Sequence, residues 1–299
     1  MTNKDLLKQD FEHWAEHLCG RKKDKIDDNS IAGVFYSLFW EMGAYESYVA
    51  ICIDNPKSPL ATLLLGNLTA YNYIQVQALR IRRLCEPPQT NDTGKDTSVY
   101  SLRGLVDEIK AQRKAGLLTR DNVCKVYGIP LTKAEVDRQF AEALPAGGGS
   151  FSTDSIVAGN IHTMLDKICD SRGLLKKTVL NQLDTRLLVD KNAQLSEIVY
   201  FVDKNIAHSS SAQSREQLGK ALALRTAEMK KVIQDITEVF YFCYMFVLQA
   251  DHAGMVPVGW QDQLENLTTK ECEITYKVFE TIEKDCELWK NNGYKLLGV

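Results

Sequence analysis

Proline is scarce in this chain, seven in 299 residues, and runs with the two-residue alternation of a half-buried strand are hard to find. Both absences disfavour a sheet and suit long uninterrupted helices. Charge of one sign is missing too: 36 basic residues stand against 39 acidic ones, a net charge of −3. No global positive field draws in nucleic acid, so any contact with RNA or DNA has to be local. None of the eight cysteines forms a C-x-x-C pair. They fall mostly among helical apolar positions, where a thiol behaves as a small hydrophobe, and a reducing cytoplasm is the expected setting. Met1 to Lys8 is polar and lacks an apolar targeting core. The most apolar run, Val239 to Leu248, has about half the length that crosses a bilayer. It reads as a buried helix, and no membrane partner is expected. There is no Walker loop, G-x-G-x-x-G, H-E-x-x-H or nucleophile motif, no internal repeat and no low-complexity tract. Neither a nucleotide cofactor nor any other cofactor is implied.

What is present is helical periodicity almost everywhere. The hydrophobic share of 44% is ample for a core, and one all-α domain over residues 1–299 is expected. Residues 1–28 and 255–299 are placed at its periphery. Two long helices, Ile31 to Ile53 and another starting at Ser58-Pro59 and ending near Cys85, form an antiparallel hairpin across Asp54-Asn55-Pro56. After the polar loop Gln89 to Thr97, a helix opens at Ser101. Shorter helices are expected over Thr119 to Tyr127 and Thr132 to Leu144, the latter with a Thr132/Glu135 capping box. Pro145 to Ser150 is a linker by composition, either a domain boundary or a mobile loop. Further helices follow at Thr153 to Cys169, Leu174 to Leu188 and Ala193 to His208, then Arg215 to Gln249 as one very long helix or two broken near Gly219, and Glu271 to Trp289.

The stretch with the most chemistry is Tyr200 to Ser211. Leu195, Ile198, Val199, Val202 and Ile206 form an apolar stripe, while Lys204, Asn205 and His208 share another face. A histidine beside a cation and an amide at a helix end suits a phosphate; it equally suits a plain helix C-terminus, where the dipole favours cations. Arg80, Arg82, Arg83 and Arg103 make a second basic group, read as a solvated face or a phosphate contact. His13 and His17 stand four apart on one helical face, a metal-compatible spacing. No third ligand is evident in the sequence, so no metal is expected there.

Taken together, Lys204-Asn205-Ile206-Ala207-His208-Ser209, the helix end Ala78-Leu79-Arg80-Ile81-Arg82-Arg83-Leu84 and the opening Ser101-Leu102-Arg103-Gly104-Leu105-Val106-Asp107-Glu108-Ile109 resemble one family. The first resembles the R-N/D-K-x-x-A-H-S signature of the HEPN superfamily. The other two look like the A-L-x-R-L and S-L-R-x-L-x-D-E-I elements of its abortive-infection branch. The likeness spans Ile31 to about Gln249 and implies a helical bundle, commonly a homodimer with the signature helices facing each other. It further implies an RNA-binding protein or metal-independent endoribonuclease in bacterial phage defence, or a catalytically silent homodimer of the same fold.

Carried over by position, His208 matches the family histidine, which takes a proton from the attacking 2′-hydroxyl. Asp203 and Lys204 match the polar residue and the lysine, and Asn205 is a further orienting group. The family arginine falls on Val202, whose apolar side chain binds no phosphate. Lys204, Arg186 or the group at Arg80 to Arg83 is the remaining source of positive charge. RNA or a nucleotide is the ligand the resemblance implies.

Overall fold

The computed structural model describes residues 3–20, 29–87, 100–132, 134–135, 138, 153–207, 224–248 and 267–297. These form ten α-helices: α1 (Asn3–Cys19), α2 (Ile31–Asp54), α3 (Leu63–Cys85), α4 (Leu102–Lys114), α5 (Arg120–Tyr127), α6 (Thr153–Ile168), α7 (Lys177–Leu187), α8 (Ala193–Phe201), α9 (Thr226–Leu248) and α10 (Thr269–Leu296). A π-helical turn, Val202–Ala207, continues α8. The only β-type pairings among the described residues are isolated bridges, Thr119 with Leu174 and Cys169 with Leu175. The chain is an all-α bundle.

Side-chain caps set where several helices begin. Ser30, Thr62, Ser101, Thr119 and Asn192 each accept a hydrogen bond from a backbone N–H of the first turn. Thr268 and Glu271 close a reciprocal capping box at the start of α10. Two expected boundaries move. α3 starts at Leu63 and not at Pro59, because Thr62 supplies its cap while the Ser58 hydroxyl turns back on Leu60 N–H. α7 starts at Lys177, because Leu174 and Leu175 are held in the bridges. The helix expected after Thr132 and the region around Gly219 fall largely outside the described residues, although Glu135 N–H does reach the Thr132 hydroxyl at 3.2 Å.

The core is organised on α9. Every residue from Ile236 to Tyr244 is buried, so this helix is covered on all sides, as its unbroken apolar run requires. It packs against α1, α3, α4, α7, α8 and α10, and Phe240 stacks on Phe35 of α2 with ring centroids 3.9 Å apart. Burying each such side chain is worth about 1.5–3 kcal/mol. The terminal helices, expected at the periphery, both contribute to this core. α1 seals Leu7, Trp14 and Leu18, and α10 seals Ile282 and Cys286. α10 also approaches closely at two glycines. A side chain at Gly43 would enter the Phe279 ring, and one at Gly293 would stand 2.6 Å from the Glu238 carbonyl oxygen. No helix of the described residues is long and apolar enough to cross a membrane.

Candidate functional site

The segment that carries the family-like motif leaves α8 in the π-helical turn Val202–Ala207. Such a turn, with its wider i to i+5 bonding, occurs often at functional sites. Val202 begins it and is fully buried, its N–H donating to the carbonyls of Ile198 and Val199. The position of the family arginine is thus a core position. Asp203 and Lys204 follow at partly exposed positions. His208 and the Asn205 side chain lie outside the described residues. Of the four sequence candidates, the structure therefore places the side chains of two, side by side on the turn.

One cation does reach this turn. Arg82, near the end of α3, lies 3.0 Å from Asp203 Oδ1 as an ion pair that lacks hydrogen-bond alignment. Both side chains keep about a third of their surface in water, so the pair contributes little to stability. Its value is positional, since it brings a guanidinium to the segment that enters residue 208.

The other arginines are committed elsewhere. Arg80 pairs with Glu41 of α2 at 2.5 Å; burial still pushes the Glu41 carboxyl up, with Arg80 drawing it back. Arg83 donates to the Asn29 carbonyl. Arg103 bonds Asp107 at 2.7 Å and lies 3.7 Å from the buried Asp184 of α7. Lys110 grips both Asp184 oxygens at 2.9 Å. Arg186 pairs at 2.7 Å with Glu238, a buried acid of the central helix that Gln234 and Asn292 also contact. The residues that resemble the S-L-R-x-L-x-D-E-I element thus act as mortar. Ser101 caps α4, Arg103 is held by Asp107 and reaches Asp184 of α7, and Glu108 accepts the Trp14 indole N–H at 2.7 Å.

The remaining histidine of interest, His162, is fully buried and bonded at both ring nitrogens, to Arg120 at 3.0 Å and to the Pro130 carbonyl at 2.8 Å. It is a satisfied core histidine. The cysteines are free thiols, and burial pushes Cys85 up to about 12 and Cys169 up to about 11, so neither is a nucleophile near neutrality.

Sequence reasoning missed the face of α3 that turns away from the bundle. Tyr73, Gln77, Ala78, Ile81 and Leu84 are buried against it. On the opposite side Leu64, Leu68, Tyr71 and Leu79 form an outward stripe, with Leu64 82% exposed and Tyr71 57% exposed. Their spacing of four, three and eight residues keeps them in line and leads directly to Arg82. The periodicity was there to find. What hid it is that α3 reads as apolar on two sides, and the sequence does not say which side the bundle takes.

Comparison with protein-family models, with curated proteins and with solved structures finds no match.

Proposed function

We propose that this chain is a HEPN-like cytoplasmic protein that works as a homodimer and has no nuclease activity of its own. The observation that carries the reading is the outward apolar stripe of α3. Its four side chains keep between 42% and 82% of their surface exposed, and exposed apolar side chains grouped on one helix face mark an interaction surface. The occupant is a second copy of the same helix. A stripe at steps of four, three and eight fits another α-helix laid along it, and an antiparallel α3 pair about a twofold is self-complementary. The same stripe leads to Arg82 and Asp203, and an antiparallel pair sets these two ends at opposite ends of the interface, so the motif segments do not meet across it. Loss of catalysis follows from the sealed Val202 and from the acids that hold Arg80, Arg103 and Arg186.

Light scattering tests it. Wild-type protein should run at twice the chain mass, and Leu68→Glu with Tyr71→Glu should halve that mass without changing the circular-dichroism spectrum. Wild-type protein that stays monomeric at tens of micromolar would remove this reading.

The approach of Arg82 to Asp203 favours a second reading, an RNA-cleaving effector in phage defence. Here His208 is the base, and Arg82 with Lys204 supplies the charge that neutralises the phosphate. Under it, His208→Ala and Arg82→Ala each abolish RNA cleavage and growth arrest while the fold persists. Wild-type protein that neither cuts nor binds RNA across a range of salt concentrations would exclude it.

A further inference from the structure

His13 and His17 sit one turn apart on α1, and the packing of α1 against α4 brings Glu108 to them. One ligand atom from each of the three residues lies within 4.8 Å of the other two. A third ligand is therefore present, and it comes from 91 positions further along the chain. We propose that His13, His17 and Glu108 form a binding site for one divalent transition-metal ion, with Zn²⁺ the ion the donors fit. This does not rest on the functional reading above.

The donor set is two imidazoles and one carboxylate, the composition of three-ligand zinc sites whose fourth position is held by water. Histidines at i and i+4 point to one side of a helix, which fixes two ligands on a rigid element. His17 is buried between the His13 and Tyr100 rings, with centroids 3.9 Å away and planes tilted by 60° and 33°. His13 is exposed, so the open side of the group faces solvent and an ion has a route in. Glu108 is already aimed. The N–H of the buried Trp14 holds its Oε2 at 2.7 Å. A hydrogen bond of this kind to a ligating carboxylate orients ligands in known metal sites. A carboxylate has lone pairs left after that bond for an ion. Bonds of about 2.0–2.2 Å place tetrahedral ligand atoms roughly 3.3 Å apart. Closing the group thus asks for side-chain movements of a little over an ångström, which the exposed His13 can supply. Asp10 stands one turn before His13 and interacts with its charge, adding to the negative surroundings of the site.

The alternative is that the same residues only pack: stacked rings over a carboxylate that satisfies an indole. The two differ in solution. The full chain, stripped with chelator and dialysed, is titrated with Zn²⁺ by calorimetry and with Co²⁺ by absorption. The expected result is one equivalent bound, with cobalt bands of a four- or five-coordinate nitrogen and oxygen site and no sulfur charge-transfer band. His13→Ala removes an exposed ligand. Glu108→Gln removes the charge but leaves an amide oxygen for Trp14. Each should weaken binding about 100-fold or more, since even indirect partners of ligands are worth 10–100-fold. Glu12→Ala, an exposed acid beside the site, should change nothing. Wild-type protein that binds less than a fifth of an equivalent would overturn the proposal. So would equal affinity in His13→Ala or Glu108→Gln, or a cobalt spectrum dominated by sulfur.

Discussion

Placing an arginine at position 202 is the sharpest test of the proposed HEPN-like reading. Val202 has no exposed surface. It sits where α8 gives way to the π-helical turn, and that turn packs on α3. Val202→Arg forfeits the valine's burial, about 1.5 kcal/mol, and forces extra volume into a filled site, about 1–3 kcal/mol. A guanidinium left unpaired in the core costs about 3–5 kcal/mol more. These costs overlap, because a long stem can bend its charge towards water, so the net is on the order of 4 kcal/mol. Against a net stability of about 5–15 kcal/mol that is a large loss, and for a chain of this length it lowers the melting temperature by roughly 6 °C. Thermal unfolding followed by circular dichroism measures it, with Val202→Ile as the volume control. If Val202→Arg melts within 2 °C of wild type, position 202 accepts a guanidinium and the burial argument is wrong. If that variant gains an RNA cleavage that wild type lacks, Val202 is what keeps the wild type silent.

Other expectations concern how the bundle is joined. Gly293→Ala places a methyl 2.6 Å from a carbonyl oxygen and 3.2 Å from the Cα of Glu238. Backbone cannot rotate aside, so α10 must lift from α9, at a net cost of about 1–3 kcal/mol despite alanine's better helix propensity; a denaturant midpoint at or above wild type would refute this. Asp184→Asn leaves Lys110 and Arg103 facing a neutral group, a loss of about 2 kcal/mol, tempered because Lys110 reaches water. Adding Lys110→Met should recover part of it. Glu46 is half-buried near the Lys230–Asp285 pair. Burial pushes its carboxyl up, Lys230 lowers it and Asp285 raises it. The folded state then holds that proton more tightly than the unfolded state, so ionised Glu46 costs stability at neutral pH. Glu46→Gln should raise the melting temperature at pH 7, and the gain should shrink as pH falls through the raised folded value and vanish below the ordinary carboxylate range.

Helical periodicity made the fold class and most helices legible, because each buried stripe writes its own 3.6-residue repeat. The bounds of α3 and α7 were not, because Thr62 and the bridged Leu174 and Leu175 compete with equally plausible starts a few residues away. The basic group around Arg80 to Arg103 was visible, but its partners were not. Glu41 and Asp184 lie 39 and about 80 positions away from the arginines they neutralise, and no local spacing announces such a pair. Glu108 was hidden in the same way. It was read as part of an α4 signature, and only the docking of α1 shows that it faces two histidines.

The central helix has a consequence for how the protein is made. α9 starts at Thr226, after the eight other helices described before it, yet it provides the surface on which α1, α3, α4, α7 and α8 rest. Until a ribosome has delivered that stretch, the earlier helices have only one another to pack on, and the sides that face α9 stay wet. Folding of this bundle must therefore wait until Thr226 to Leu248 has been synthesised. A nascent chain halted before α9 emerges should be protease-sensitive throughout and depend on chaperones to stay dispersed.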